Sequence, residues 1–137
     1  MIDFSNPKEV QESKDLLLKV ISDNLPYGLI VKFENFEFEV RGVHGDMVIH
    51  DAWHLWNSVY TECGIIYVKP FLRSMNTMTE EEKIVYGDLC YAIISDIPKN
   101  EQKHLDELYD WLNANHFDYR GLITMGLASE APKGLYC

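Results

Sequence analysis

Five consecutive residues, His116-Phe117-Asp118-Tyr119-Arg120, put an imidazole, a carboxylate, a phenol and a guanidinium within a few residues of one another. Such a set has an acid, a base and an anion clamp, as a small hydrolase needs. The same five residues also suit a purely structural task. A histidine at a helix end complements the dipole. Asp118 can pair with Arg120 or bond backbone in a turn, and Phe117 and Tyr119 can return apolar surface to a core. The structural reading is the simpler one, with Arg120 gathering helix-end carbonyls or holding Asp118.

The metal-like set is His44, His50 and His54, with Asp46 and Asp51 nearby. If residues 51–56 are helical, His50 and His54 lie one turn apart, as zinc ligands often do. No H-E-x-x-H accompanies them, and Trp53 and Leu55 suggest a packed loop, so no metal or other cofactor is expected. Trp53, Trp56 and Tyr60 form an aromatic group that would be a recognition patch if exposed and a cap on a small sheet if buried. There is no Gly-rich phosphate loop, no G-x-S-x-G and no C-x-x-C.

Charge narrows the partners. Twelve bases and 22 acids give a net charge of −10, which argues against binding nucleic acid by phosphate neutralisation. Residues 79–110 hold nine acids against three lysines, six of the ten net negative charges. That segment reads as solvated helix faces or as an acidic surface, including Glu80 and Glu81, aimed at a basic protein. No apolar run approaches the ~18 residues of a membrane span. Cys63, Cys90 and Cys137 are scattered, consistent with reduced thiols. We therefore expect a soluble, cytoplasmic protein, with another protein as partner and no membrane contact.

These residues need a scaffold, and residues 28–50 read as its centre. Leu29, Val31 and Phe33 alternate, as do Phe36, Phe38 and Val40 against Glu37, Glu39 and Arg41. That is a meander with one dry and one wet face, with turns at Glu34-Asn35 and His44-Gly45-Asp46. Asn6-Pro7 opens a first helix through Val10, Leu17, Leu18, Ile21 and Leu25, ended by Pro26 and Gly28. Residues 51–63 read as a loop with at most one helical turn. Ile65–Val68 reads as a fourth strand ended by Pro70, with Phe71 and Leu72 leading away. Thr79-Glu80-Glu81-Glu82 is a capping box for a helix to about Ser95 with an apolar stripe of Val85, Leu89, Ala92 and Ile93. A rival reading breaks it at Gly87 and makes residues 89–94 a strand. Leu105, Leu108, Trp111 and Leu112 mark a helix from about Glu101 to Ala114, and residues 121–128 a short one. The expected fold is α+β: one domain over residues 1–137, an antiparallel sheet of three to five strands covered by two or three helices.

Two strings carry a resemblance. One is Lys69-Pro70-Phe71-Leu72-Arg73 with Met78-Thr79-Glu80-Glu81-Glu82. The other is Trp111-Leu112-Asn113-Ala114-Asn115-His116-Phe117-Asp118-Tyr119-Arg120-Gly121-Leu122-Ile123 with Gly126-Leu127-Ala128 and Glu130-Ala131-Pro132. Together they resemble small uncharacterised proteins of phages, prophages and mobile elements of Bacteroidetes. The resemblance covers the C-terminal half, and residues 84–103 depart from its pattern. It implies no activity and no catalytic residues. The reading it favours is an accessory protein that binds a host or phage protein. A small hydrolase or metal-dependent enzyme, and a virion or assembly component, are the alternatives.

Overall fold

Residues 3–45, 47–50, 61–95 and 100–136 are described by the computed structural model. Helix α1 spans Pro7–Asn24, and the Asn6 side chain accepts from the N–H groups of Lys8 and Glu9. Leu17, Val20, Ile21 and Asn24 form its buried face, an i, i+3, i+4, i+7 pattern. Val20 takes the place foreseen for Leu18, which lies on the flank, partly exposed. A 3-10 turn over Leu25–Tyr27 ends at Gly28, whose φ of 73° reverses the chain.

The meander then forms as β1 (Ile30–Phe33), β2 (Phe36–His44) and β3 (Met47–His50), all antiparallel. Leu29, Val31, Val40 and Val48 are buried beneath Leu17, Val20 and Ile21 of α1. Each such side chain contributes roughly 1.5–3 kcal/mol by leaving water. Phe38 is also buried, and Glu37 and Glu39 face out as the alternation requires. Phe36 departs from it at 39% exposure. It begins β2 at the hairpin tip opposite Phe33 and leans on Phe38, ring centroids 5.9 Å apart.

Three expectations fail beyond β3. Thr61–Gly64 is a strand, β4, paired antiparallel with β3 rather than loop. Ile65–Tyr67 is a 3-10 turn, not a strand, because Ile65 and Val68 drop into the core beneath α1. The next strand, β5, is Lys69–Leu72 and contains Pro70. Proline is tolerated because it stands opposite Val31. The Val40 N–H bonds to the Leu29 carbonyl, so odd-numbered residues of β1 turn their polar groups toward β2. By the antiparallel alternation, β1 asks no N–H of Pro70. At the next pair the Tyr136 hydroxyl stands between the strands. It accepts from the Ile30 N–H at 3.1 Å and donates to the Phe71 carbonyl at 2.7 Å.

Helix α2 spans Glu80–Ser95 without a break at Gly87, so residues 89–94 are helical. Helix α3 spans Glu101–Ala114, with Leu108 and Leu112 buried and its acids outward. A single turn, α4 (Leu122–Met125), lies between Gly121 and Gly126, both left-handed. Ser129–Glu130 then adds β6, parallel to β5. Among the described residues the strand order is β4-β3-β2-β1-β5-β6. The domain is α+β as expected, with β6 making the sheet mixed rather than wholly antiparallel. Met78, Leu108, Leu112 and Phe117 form a second core between α2 and α3.

Candidate functional site

The polar cluster of residues 116–120 does not converge. At the end of α3, the Phe117 N–H bonds to the Leu112 carbonyl and the His116 N–H to that of Asn113. This is a Schellman closure with His116, at φ 59°, in the left-handed position usually given to glycine. Asn115, just before it, gives its N–H and Nδ2 to the Trp111 carbonyl. The helix-end carbonyls expected to need Arg120 are thus met locally.

His116 is 2% exposed, its ring stacked on Tyr136 at 3.8 Å. Its Nδ1 lies 3.1 Å from Asn24 Oδ1. Asn24 Nδ2 is already committed to the Val20 carbonyl, so Oδ1 accepts and Nδ1 carries the proton. Burial lowers the imidazole pKa, with the Arg73 charge acting the same way and the Tyr27 carbonyl opposing. A neutral ring does not complement the helix dipole as a cation would.

Asp118 turns the other way. Its two oxygens accept from the N–H groups of Leu122 and Ile123 at 2.8 and 3.0 Å, capping α4. Arg120 does not hold Asp118. It reaches Asp23 of α1 at 2.9 Å and lies over the Tyr119 ring. Tyr119 donates its hydroxyl to Asn113 at 2.9 Å, and burial raises its pKa. Three side chains on three different partners make a clasp between α1, α3 and α4.

The structure brings together residues from the two sequence strings instead. The Arg73 N–H bonds to the His116 carbonyl at 2.7 Å, and the Asp118 N–H returns to the Arg73 carbonyl at 2.8 Å. The Arg73 guanidinium forks onto both oxygens of Glu82, at 2.8 and 2.7 Å, and lies 4.3 Å from the Phe117 ring centre. Glu82 also closes the capping box, accepting from the Thr79 N–H while its own N–H bonds to Thr79 Oγ1. The Ala131 N–H bonds to the Leu72 carbonyl. The string residues fasten β5, α2 and the tail.

Beside them lies a cleft of about 760 Å³ lined by Arg73, Thr79, Glu82, Asn115, Lys133 and Tyr136 among others. Its central groups are committed. The hydrogen bonds from Arg73 hold Glu82 at a pKa of about 2 against the ordinary 4.5, so it stays a carboxylate. Burial pushes the Tyr136 phenol well above its usual value. Neither is tuned to exchange a proton near neutral pH.

Of the metal-like set, His44 is exposed opposite Met47, while His50 stands opposite Val40. They occupy opposite ends of a hairpin, roughly 10 Å apart along the strands. His54, and the aromatic group Trp53, Trp56 and Tyr60, lie outside the described residues. Among those described, no cluster of three His, Cys, Asp or Glu could hold a metal. Cys90 is a free thiol, half-buried in the second core.

The outward side of α2 has a feature the sequence reading passed over. Tyr86, Leu89, Cys90 and Ile93 pack toward α3. Ile84, Tyr91 and Ile94 point away, with 65%, 70% and 74% of their surface exposed. They lie with Gly87 on one stripe, at spacings of three, four and three residues. The expected inward stripe is shifted, since Val85 is exposed and Tyr86 and Cys90 replace it. The sequence signals only that apolar residues occur on all sides of α2; in the structure none of its 16 residues is buried. Glu80 and Glu81 lie exposed at its first turn, Glu80 paired with Lys83 at 3.0 Å.

No helix among the described residues is long and apolar enough to cross a membrane. Compared with family models, curated proteins and solved structures, the chain matches none, so its function has to be read from its own surfaces.

Proposed function

We propose that this protein works by binding another protein, and that the outward face of α2 is where it binds. The observation that carries this is the stripe of Ile84, Tyr91 and Ile94, exposed on a helix that already covers a core with its opposite side. Large apolar side chains gathered on one exposed face favour association, because covering them releases ordered water. Single exposed hydrophobics elsewhere, such as Met125, need no such explanation. The enzyme reading has less support, since His116 is buried and Asp118 and Arg120 hold structural partners. An origin in a phage or mobile element, suggested by the two sequence strings, would make the partner a host or element-encoded protein.

The test is quantitative cross-linking in cells that carry the gene, comparing the parent with an Ile84→Ser/Tyr91→Ser/Ile94→Ser variant. The variant should fold, because these side chains stand outside the core. A parent-specific partner should fall by about tenfold or more. Recovery of the same partners in the same amounts would overturn the proposal.

A further inference from the structure

We infer that the element seated on α2 is an amphipathic helix with a basic flank, crossing α2 closely at Gly87. This rests on the protein-binding reading above and adds the occupant and its geometry. Gly87 serves no purpose visible within the described chain. Its φ is not in the left-handed region, and a Cβ placed on it would meet nothing within 4 Å. A glycine inside an exposed helix costs about 1 kcal/mol against alanine. What it creates is a notch between Ile84 and Tyr91, side chains about 10 Å apart along the axis. A ridge from a second helix fits such a notch, and the missing side chain lets the two axes approach.

The spacing agrees. Ile84, Gly87, Tyr91 and Ile94 repeat as the seam positions of a helix pair do. Three large side chains fall well short of the roughly 800 Å² per partner of a standard domain interface. A single helix of about four turns, the length of α2 itself, matches this stripe.

Charge selects among helices. Glu81 and Asp88 flank the seam on one side; on the other stands Lys83, already paired with Glu80 at the start of the seam, and the last turn of α2 has no base. Lysines or arginines beside the partner's apolar ridge would complement these acids. A second copy is the poorer occupant. Antiparallel, it would set Glu80 and Glu81 against the negative end of the other α2, whose last turn carries no base. Parallel, it would set Glu80 against its own copy at the first position of the seam, with Lys83 alone facing the flank of Glu81 and Asp88. Either way, two chains of net charge −10 would meet.

The experiment uses three synthetic 17-residue helical peptides. One has a leucine seam flanked by lysine, the second the same seam flanked by glutamate, and the third the first peptide's composition with the seam spacing scrambled. Binding to the full chain is read by calorimetry and by amide shifts along α2. The lysine-flanked seam peptide should bind about tenfold or more tighter than either control. Gly87→Leu should melt at or above the parent and bind that peptide about tenfold or more weakly, because a side chain fills the notch. Equal binding of the scrambled peptide would reduce the effect to charge attraction and overturn the inference. So would undiminished binding to Gly87→Leu, no binding of the lysine-flanked peptide, or a dimer in sedimentation that Ile84→Ser dissolves. If the lysine-flanked peptide fails while the stripe variant still loses its cellular partner, the face binds a different element. The protein-binding reading then survives and this inference falls.

Discussion

Replacing Glu82 with Gln removes one charge from the fork on Arg73 and leaves the shape of the side chain nearly unchanged. The fork joins β5 to the first turn of α2 through two bonds of 2.8 and 2.7 Å, with the side chains only 24% and 18% exposed. The carboxyl pKa falls from 4.5 to about 2, chiefly through the hydrogen bonds from Arg73. At 1.36 kcal/mol per unit that depression would correspond to roughly 3.4 kcal/mol. Water reaches one side of the pair, and screening brings the expected contribution to about 2 kcal/mol. Because the folded pKa is depressed, this stability is present in full above the unfolded value near 4.5. It is lost as pH falls from about 4.5 toward about 2. Glu82→Gln should therefore lower Tm by roughly 6–8 °C at pH 7 and flatten the acid limb of the stability curve. Arg73→Met also removes the cation from the face of Phe117 and should cost about 3 kcal/mol. The assay is thermal and urea melting of the parent, both single variants and the double variant from pH 2 to 7. A coupling energy near zero, or an acid limb in Glu82→Gln as steep as the parent's, would refute the reasoning.

Further outcomes can be checked in the same way. Phe38→Ala should cost about 3–5 kcal/mol, since the ring is buried, whereas Phe36→Ala should cost under about 1 kcal/mol at the hairpin tip; equal costs in urea unfolding would contradict the register. Asp118→Ala should lose about 1–2 kcal/mol with its bonds to Leu122 and Ile123, and hydrogen exchange at those amides should rise. Tyr136→Phe leaves the Ile30 N–H and Phe71 carbonyl without their partner and should cost about 1–3 kcal/mol, with faster exchange at the Ile30 amide.

Arg120→Ala, by contrast, should cost less than it would if Arg120 gathered the carbonyls at the end of α3. The arginine holds Asp23 at a partly open site rather than the carbonyls at the end of α3. Those carbonyls are closed by the backbone once His116 turns left-handed. That turn was not legible because histidine is an uncommon occupant of the position. The ring's stacking on Tyr136 and its bond to Asn24 hold it there.

What lies close along the chain was decided by the sequence itself. The Asn6 cap, the reciprocal bonds of Thr79 and Glu82, the alternation through Phe38 and Val40, and the period of α3 each involve residues within a few positions of one another. Local sterics and burial settle them without help from distant parts. Residues 61–72 were settled by tertiary structure. Ile65 and Val68 could serve a strand or a turn, and packing under α1 chose the turn. Pro70 could end a strand or stand inside one, and the alternation of β1 beside it allowed the second. Tertiary structure also decided which face of α2 stays uncovered. Apolar residues surround that helix, so periodicity alone names no inner side. Only the position of α3 against Tyr86, Leu89 and Ile93 leaves Ile84, Tyr91 and Ile94 in water, because one neighbouring helix can shield only one side of another.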